Sequence, residues 1–230
     1  MFDDALIQQL AHELNQSEKS RVQIEHFSKR FPGMTIEDGY RINRAWMQIK
    51  FAEGRTMIGH KIGLTSRAMQ VSSQIDEPDY GTLLDDMLYT CTPGQVLDIP
   101  HKNFIAPRVE VELAFILGKP LKGPNVTLFD VLSATEYVTP AIEIIDSRYR
   151  DFKFDLKSVI ADNTSAARFV IGGRSRAVED LDLRTLGVVL EKNGRIAAMA
   201  AGAAVLGHPA AAVAMLANHL GRRGQEIPAG

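Results

Sequence analysis

The segment RVEVELAFIL (residues 108–117) begins by alternating charged and apolar residues and ends as an unbroken apolar run, the period-2 signature of a β-strand. PAIEIID (140–146) reads as a second strand. In GVVLEKNGRIAAMA (187–200), Asn193-Gly194 stands between two apolar runs and predicts a hairpin with a type I′ turn. MIGHKIGLTS (57–66) is expected to be a short strand running into a loop, with Thr65 or Ser66 capping a short helix after it. Residues 96–99 read as a brief strand stopped by Pro100. The stretch IDEPDYGTLLDDM (75–87) is acidic and rich in turn formers, and reads as a long irregular loop of the kind that often carries function.

Helices flank these strands. Asp3 and Asp4 can cap a stretch whose Leu6, Leu10, Ala11 and Leu14 lie on one stripe. After a turn at Phe31-Pro32-Gly33, Thr35 opens a second helix, with Asp38 placed for a short capping box and Gly54 as the stop. Thr127 opens another helix, and His208-Pro209 leads into one with Val213, Leu216, Ala217 and Leu220 on one face. Many strands with helices at the two ends favour an α+β fold over a doubly wound sheet. The expected organisation is a helical N-terminal cap (1–56) followed by a β-rich catalytic domain (57–230). Neither a GxGxxG after a strand nor a P-loop occurs, so a nucleotide fold lacks its usual mark.

At 230 residues the chain can bury a large core without disulfides or a structural metal. Its net charge of −2 argues against a nucleic-acid partner. Cys91 is alone and fits a reducing cytoplasm. MFDDALIQQL lacks the basic start of a signal peptide, and no apolar run is long enough to span a membrane.

Glu110 and Glu112 are two apart in a strand, so they share a face, roughly 6.5–7 Å apart along the chain. Side-by-side carboxylates need a cation, protonation or full solvation, and oxygen-only ligation suits Mg²⁺ or Mn²⁺. A solvated strand face is the blander alternative. Glu143, set between Ile142 and Ile144 on a second strand, would complete a three-carboxylate set, or else pair with Arg108 or Arg148. Asp146 should face the opposite way. Lys61, between glycines in GHKIG, can bind a carboxylate or move a proton, or be a surface lysine in a flexible turn. His60 offers no ligand spacing and reads as structural. Asp76, Glu77 and Asp79 either position water or keep their loop solvated. Asp162-Asn163 reads as a helix cap rather than a substrate contact, and Tyr80 and Phe104 as packing residues.

The stretches GHKIGLTS (59–66), EPDYGTLLDDM (77–87), PRVEVELAFIL (107–117), PAIEIIDSR (140–148) and ADNTSAA (161–167) resemble the fumarylacetoacetase-like superfamily, in its hydratase and decarboxylase branch from aromatic meta-cleavage pathways. The resemblance spans nearly the whole chain. It implies a mixed β-roll core with a helical N-terminal part. It also implies Mg²⁺, with Mn²⁺ as the substitute, held by Glu110, Glu112 and Glu143, with Lys61 as an acid–base group and Asp79 on the active-site loop. The implied substrate is a small 2-oxo or 2-hydroxydienoate carboxylic acid. The implied reaction is Mg²⁺-dependent hydration of 2-oxo-hept-3-ene-1,7-dioate to 4-hydroxy-2-oxoheptanedioate by a homo-oligomer. Hydration of 2-hydroxypenta-2,4-dienoate, decarboxylation of 4-oxalocrotonate, and a non-catalytic partner subunit are the alternatives. Relatives continue past the segment like GQEIPAG, so the catalytic domain is expected to be short by roughly 35 residues, with a sheet edge exposed.

Overall fold

Asp3 caps helix α1 (Asp4–Ser20), its carboxylate accepting a hydrogen bond from the Leu6 amide at 2.8 Å. Thr35 and Asp38 form the reciprocal capping box that opens α3 (Ile36–Ala52), with the one-turn α2 (Phe27–Arg30) between the two. Caps of this kind contribute about 1 kcal/mol each. The computed structural model describes residues 1–73, 78–92, 94–152 and 155–230. Leu10, Leu14, Ile42 and Trp46 of the paired helices are buried together with Leu84, Met87 and Phe169 from the β part. The helical segment and the sheet therefore share one core.

β1 (Met57–Gly63) and β2 (Asp79–Leu84) form an antiparallel pair, joined through α4 (Arg67–Ser73). Much of the stretch expected to be an irregular loop is thus a strand. Asp79, Gly81 and the turn-forming context hide it, and pairing with β1, distant in sequence, brings it out. Four further strands make a mixed sheet in the order β3-β6-β5-β4: β3 (Leu88–Cys91), β4 (Arg108–Leu117), β5 (Thr135–Ile145) and β6 (Ala166–Gly172). The β3–β6 pair is parallel and the others antiparallel. The brief strand expected at 96–99 does not form: the run has no sheet partner, and Val96 is exposed.

Thr127 and Asp130 form a second capping box at α5 (Leu128–Ala134), which leads directly into β5. A short α6 (Leu156–Ala161) precedes β6. β7 (Gly187–Lys192) and β8 (Arg195–Ala201) form the expected hairpin, with Asn193 and Gly194 at φ 54° and 71°. α7 (Pro209–Gly221), capped by the His208 side chain, packs Ala210, Ala214 and Ala217 against Val131 and Ala134 of α5. The fold is α+β, and no helix among the described residues is long and apolar enough to cross a membrane.

Candidate metal and acid–base site

Cross-strand register creates the site. In the β4–β5 pair Glu110 lies directly opposite Glu143, and Glu112 opposite Ala141. Alternation along β4 turns both of its glutamates to the face that Glu143 shares. One carboxylate oxygen from each of the three lies within 4.8 Å of the others. Solvent access differs across the set: Glu110 is exposed, whereas Glu143 is buried. Burial pushes the Glu112 carboxyl up to about 7, the Glu143 charge adds to the rise, and the Lys61 ammonium partly offsets it. Glu143 is also raised, first by burial. Its Oε1 has no hydrogen-bond partner among the described residues. A buried, unpaired carboxylate oxygen beside two more carboxylates is an unfavourable arrangement that a hard divalent cation would relieve.

Lys61 and Asp79 reach the same place from the β1–β2 pair, where Lys61 faces Gly81 and Gly63 faces Asp79. Lys61 donates to Glu143 Oε2 and to the Thr164 carbonyl, both at 3.2 Å. Burial works against its charge, but Glu143, Asp79, Glu110 and Glu112 outweigh that and hold the proton on the amine. Asp79 is fully buried, and burial pushes its carboxyl up to about 6. Among the described residues neither of its oxygens finds a partner at full hydrogen-bond geometry, and the neighbouring Thr164 hydroxyl is likewise unpaired. The glycines of this pair serve the packing: a Cβ at Gly63 would lie 2.3 Å from Asp79 Oδ1, and one at Gly81 would lie 2.6 Å from the Asn163 carbonyl oxygen.

The turn 163–165 completes the site. Asn163, Thr164 and Ser165 all have φ near +55°, strained for a β-branched threonine above all. Asn163 holds the turn against β2: its side-chain oxygen accepts from the Thr82 amide at 2.8 Å, and its amide donates to the Thr82 carbonyl at 2.8 Å. Asn43 of α3 donates to the same oxygen at 3.1 Å. Asp162 stands at the C-terminal cap of α6, but its carboxylate is engaged by buried Arg148.

Five expected site residues, Lys61, Asp79, Glu110, Glu112 and Glu143, therefore converge. Asp76 and Glu77 lie outside the described residues. Glu143 pairs with Lys61, and Arg148 is taken by Asp162. Asp146 instead clamps the approach to β4, accepting from the Ile105 and Ala106 amides at 2.8 and 2.7 Å. His60 is turned away, its ring edge-on to Tyr80, and burial lowers its pKa. Tyr80 stacks on Tyr40 and meets His219, and Phe104 is buried against Ile144 and Ala167. Asn43 carries no motif that marks it, and Thr164 lies within ADNTSAA, where the sequence singles out only Asp162 and Asn163.

No protein-family model matches the chain. Among curated proteins it is 48% identical to a 2-oxo-hept-4-ene-1,7-dioate hydratase from Escherichia coli, over all of this chain and 87% of the relative. It is 46% identical to a 4-oxalocrotonate decarboxylase from Pseudomonas sp. (strain CF600), over 96% of this chain and 82% of the relative. A solved 4-oxalocrotonate decarboxylase from Pseudomonas putida G7, complexed with magnesium and adipate, superposes with a TM-score of 0.92 at 41% identity, covering 100% of this chain and 86% of that one.

Proposed function

Because this chain belongs to the hydratase and decarboxylase branch of the fumarylacetoacetase-like superfamily, we propose that it is a Mg²⁺-dependent hydratase of 2-oxo-hept-3-ene-1,7-dioate. The observation that carries the reading is the three-carboxylate cluster with Lys61 hydrogen-bonded to its buried member. The Escherichia coli relative is named for the 4-ene isomer, which differs only in where the double bond lies. Removing a proton from C5 of the 3-ene or from C3 of the 4-ene gives the same dienolate.

Glu110, Glu112 and Glu143 supply the oxygen donors that suit Mg²⁺, with Mn²⁺ the alternative. Bound there, the ion would polarise a 2-oxo group as a Lewis acid and offset the carboxylate charge that holds the proton on Lys61. Lys61 gives and takes the proton as the 2-hydroxydienoate and 2-oxo forms interconvert. Its cationic form also attracts a substrate carboxylate. Asp79 orients the water, whose hydroxyl bonds to C4 while a proton ends on C3, giving 4-hydroxy-2-oxoheptanedioate. The Thr164 carbonyl keeps the Lys61 amine aimed at the reacting atoms. We place the protein in the cytoplasm as a homo-oligomer, a reading supported by unpaired Cys91 and by exposed Val189, Ile196 and Met199 on the β7–β8 hairpin.

The test is ultraviolet turnover with Mg²⁺ or chelator, alongside product mass. Mg²⁺-dependent loss of the conjugated chromophore with gain of one water is expected, and Lys61→Ala should abolish it. Near-parent hydration by Lys61→Ala with the ion present would remove the proton-transfer role. Loss of CO₂ would favour the second reading, 4-oxalocrotonate decarboxylation, which the similarity to decarboxylases supports.

A further inference from the structure

We propose that Arg108 receives the distal carboxylate of a dicarboxylate substrate and so sets the preference for a diacid over a monoacid. The inference rests on the hydratase reading above and adds a residue to it. Arg108 is two residues before Glu110 at the start of β4, so it stands on the carboxylate face, opposite Ile145, just as Glu110 stands opposite Glu143. The other cation of β4, β5 and β6 is Arg168, which pairs opposite Ile144 and so lies on the reverse face, donating to the Ala167 carbonyl.

Burial along β4 fixes the direction in which a substrate can extend. Arg108 and Glu110 are exposed, while farther along the same face Ala114 and Ile116 are half-buried. A diacid gripped at C1 and C2 beside the three glutamates has two ways to run along the strand. Toward Ala114 and Ile116 its distal carboxylate would lie against half-buried apolar side chains that offer it no hydrogen bond. Toward Arg108 the distal group stays at the open mouth and meets a guanidinium one strand repeat, roughly 6.5–7 Å, from Glu110. The Asp146 clamp on the Ile105 and Ala106 amides fixes the backbone just before Arg108, so the guanidinium is presented from a rigid base. Arg108 already interacts within the chain. Its five donors allow it to share that partner with a substrate carboxylate.

The experiment compares the parent, Arg108→Leu and Arg108→Lys in Mg²⁺. Turnover is measured on 2-oxohept-3-ene-1,7-dioate and 2-hydroxypenta-2,4-dienoate. Calorimetric binding is measured for 2-oxoheptanedioate and 2-oxohexanoate, which cannot react. Arg108→Leu should weaken the diacid about 10- to 100-fold in KM and in Kd, leave the monoacids within about threefold, and keep kcat for the diacid. Arg108→Lys should recover part of the loss. Equal losses for diacid and monoacid, or no loss for either, overturn the role of Arg108 while leaving the hydratase reading intact. A parent protein that hydrates neither substrate removes both.

Discussion

Without a bound cation, three carboxylates share one strand face, and replacing Glu112 by Gln should stabilise the metal-free protein. The rise of the Glu112 carboxyl from 4.5 to about 7 means that ionising it in the folded chain costs about 3 kcal/mol more than in the unfolded one. Glu112 keeps partial access to solvent, so about 1–2 kcal/mol is the figure to expect. The sign follows from the raised folded-state value. Below pH 4.5 the group is protonated in both states and costs nothing; between 4.5 and about 7 the penalty grows; above 7 it is complete. In chelator at pH 8, Glu112→Gln should therefore melt higher by roughly 2–8 °C, given about 2–4 °C per kcal/mol for a chain of this size. At pH 4.5 the two proteins should nearly coincide. Adding Mg²⁺ should invert the order at pH 8, because the parent gains binding free energy that the variant has largely lost. The assay is thermal unfolding at both pH values, with chelator and with Mg²⁺. A variant no more stable than the parent in chelator at pH 8 would mean that the carboxylates do not repel in the fold, and the argument for a cation from strain would fail.

Two further outcomes follow from packing and titration. Gly81→Ala puts a Cβ 2.6 Å from the Asn163 carbonyl oxygen and should cost about 1–3 kcal/mol, whereas Gly59→Ala, whose nearest neighbour would be Leu83 Cδ1 at 3.9 Å, should cost no more than its backbone effect; urea unfolding separates them. His219, pressed against Tyr40 and Tyr80 and beside Arg222, Arg223 and Glu37, has its pKa lowered to about 4, first by burial and then by Arg223. The folded chain refuses a proton that the unfolded chain accepts, so this stability is whole above pH 6.5 and is lost as pH falls toward 4. The ring is half-exposed, which brings the loss to about 1–2 kcal/mol, and a His219→Asn variant should show a correspondingly smaller fall in stability between pH 7.5 and 4.5.

The carboxylate set was legible because two strands announce themselves: alternation marks 108–117, and an acid flanked by isoleucines marks Glu143. That Glu110 would face Glu143 was not legible, since register depends on α5, the connecting segment and an irregularity between Ile116 and Leu117. β2 escaped notice for a related reason. Asp79-Tyr80-Gly81 has poor strand propensity, and only a partner distant in sequence makes it a strand. The run at 96–99 had better propensity and no partner. The left-handed turn at 163–165 is held by Thr82 and Asn43, far away in the chain, so its aspartate and asparagine read as an ordinary cap. The capping box of Thr35 and Asp38, by contrast, was plain from four consecutive residues, because everything it needs is local.

Among the described strands, Glu110 and Glu112 sit on the outermost strand of the four-stranded sheet, while Glu143 belongs to an inner one. An ion shared by all three would rivet that outer strand in place, since the strand could not peel away without surrendering two of the ion's anchors. Peeling of β4 would then gate ion release. The ion's residence time would be limited by strand fraying as well as by ligand exchange, and Mg²⁺ should slow amide exchange along residues 108–113 more than along the inner strand. The same rivet would keep an otherwise open sheet edge occupied, so that loading with metal would also guard against edge-to-edge association.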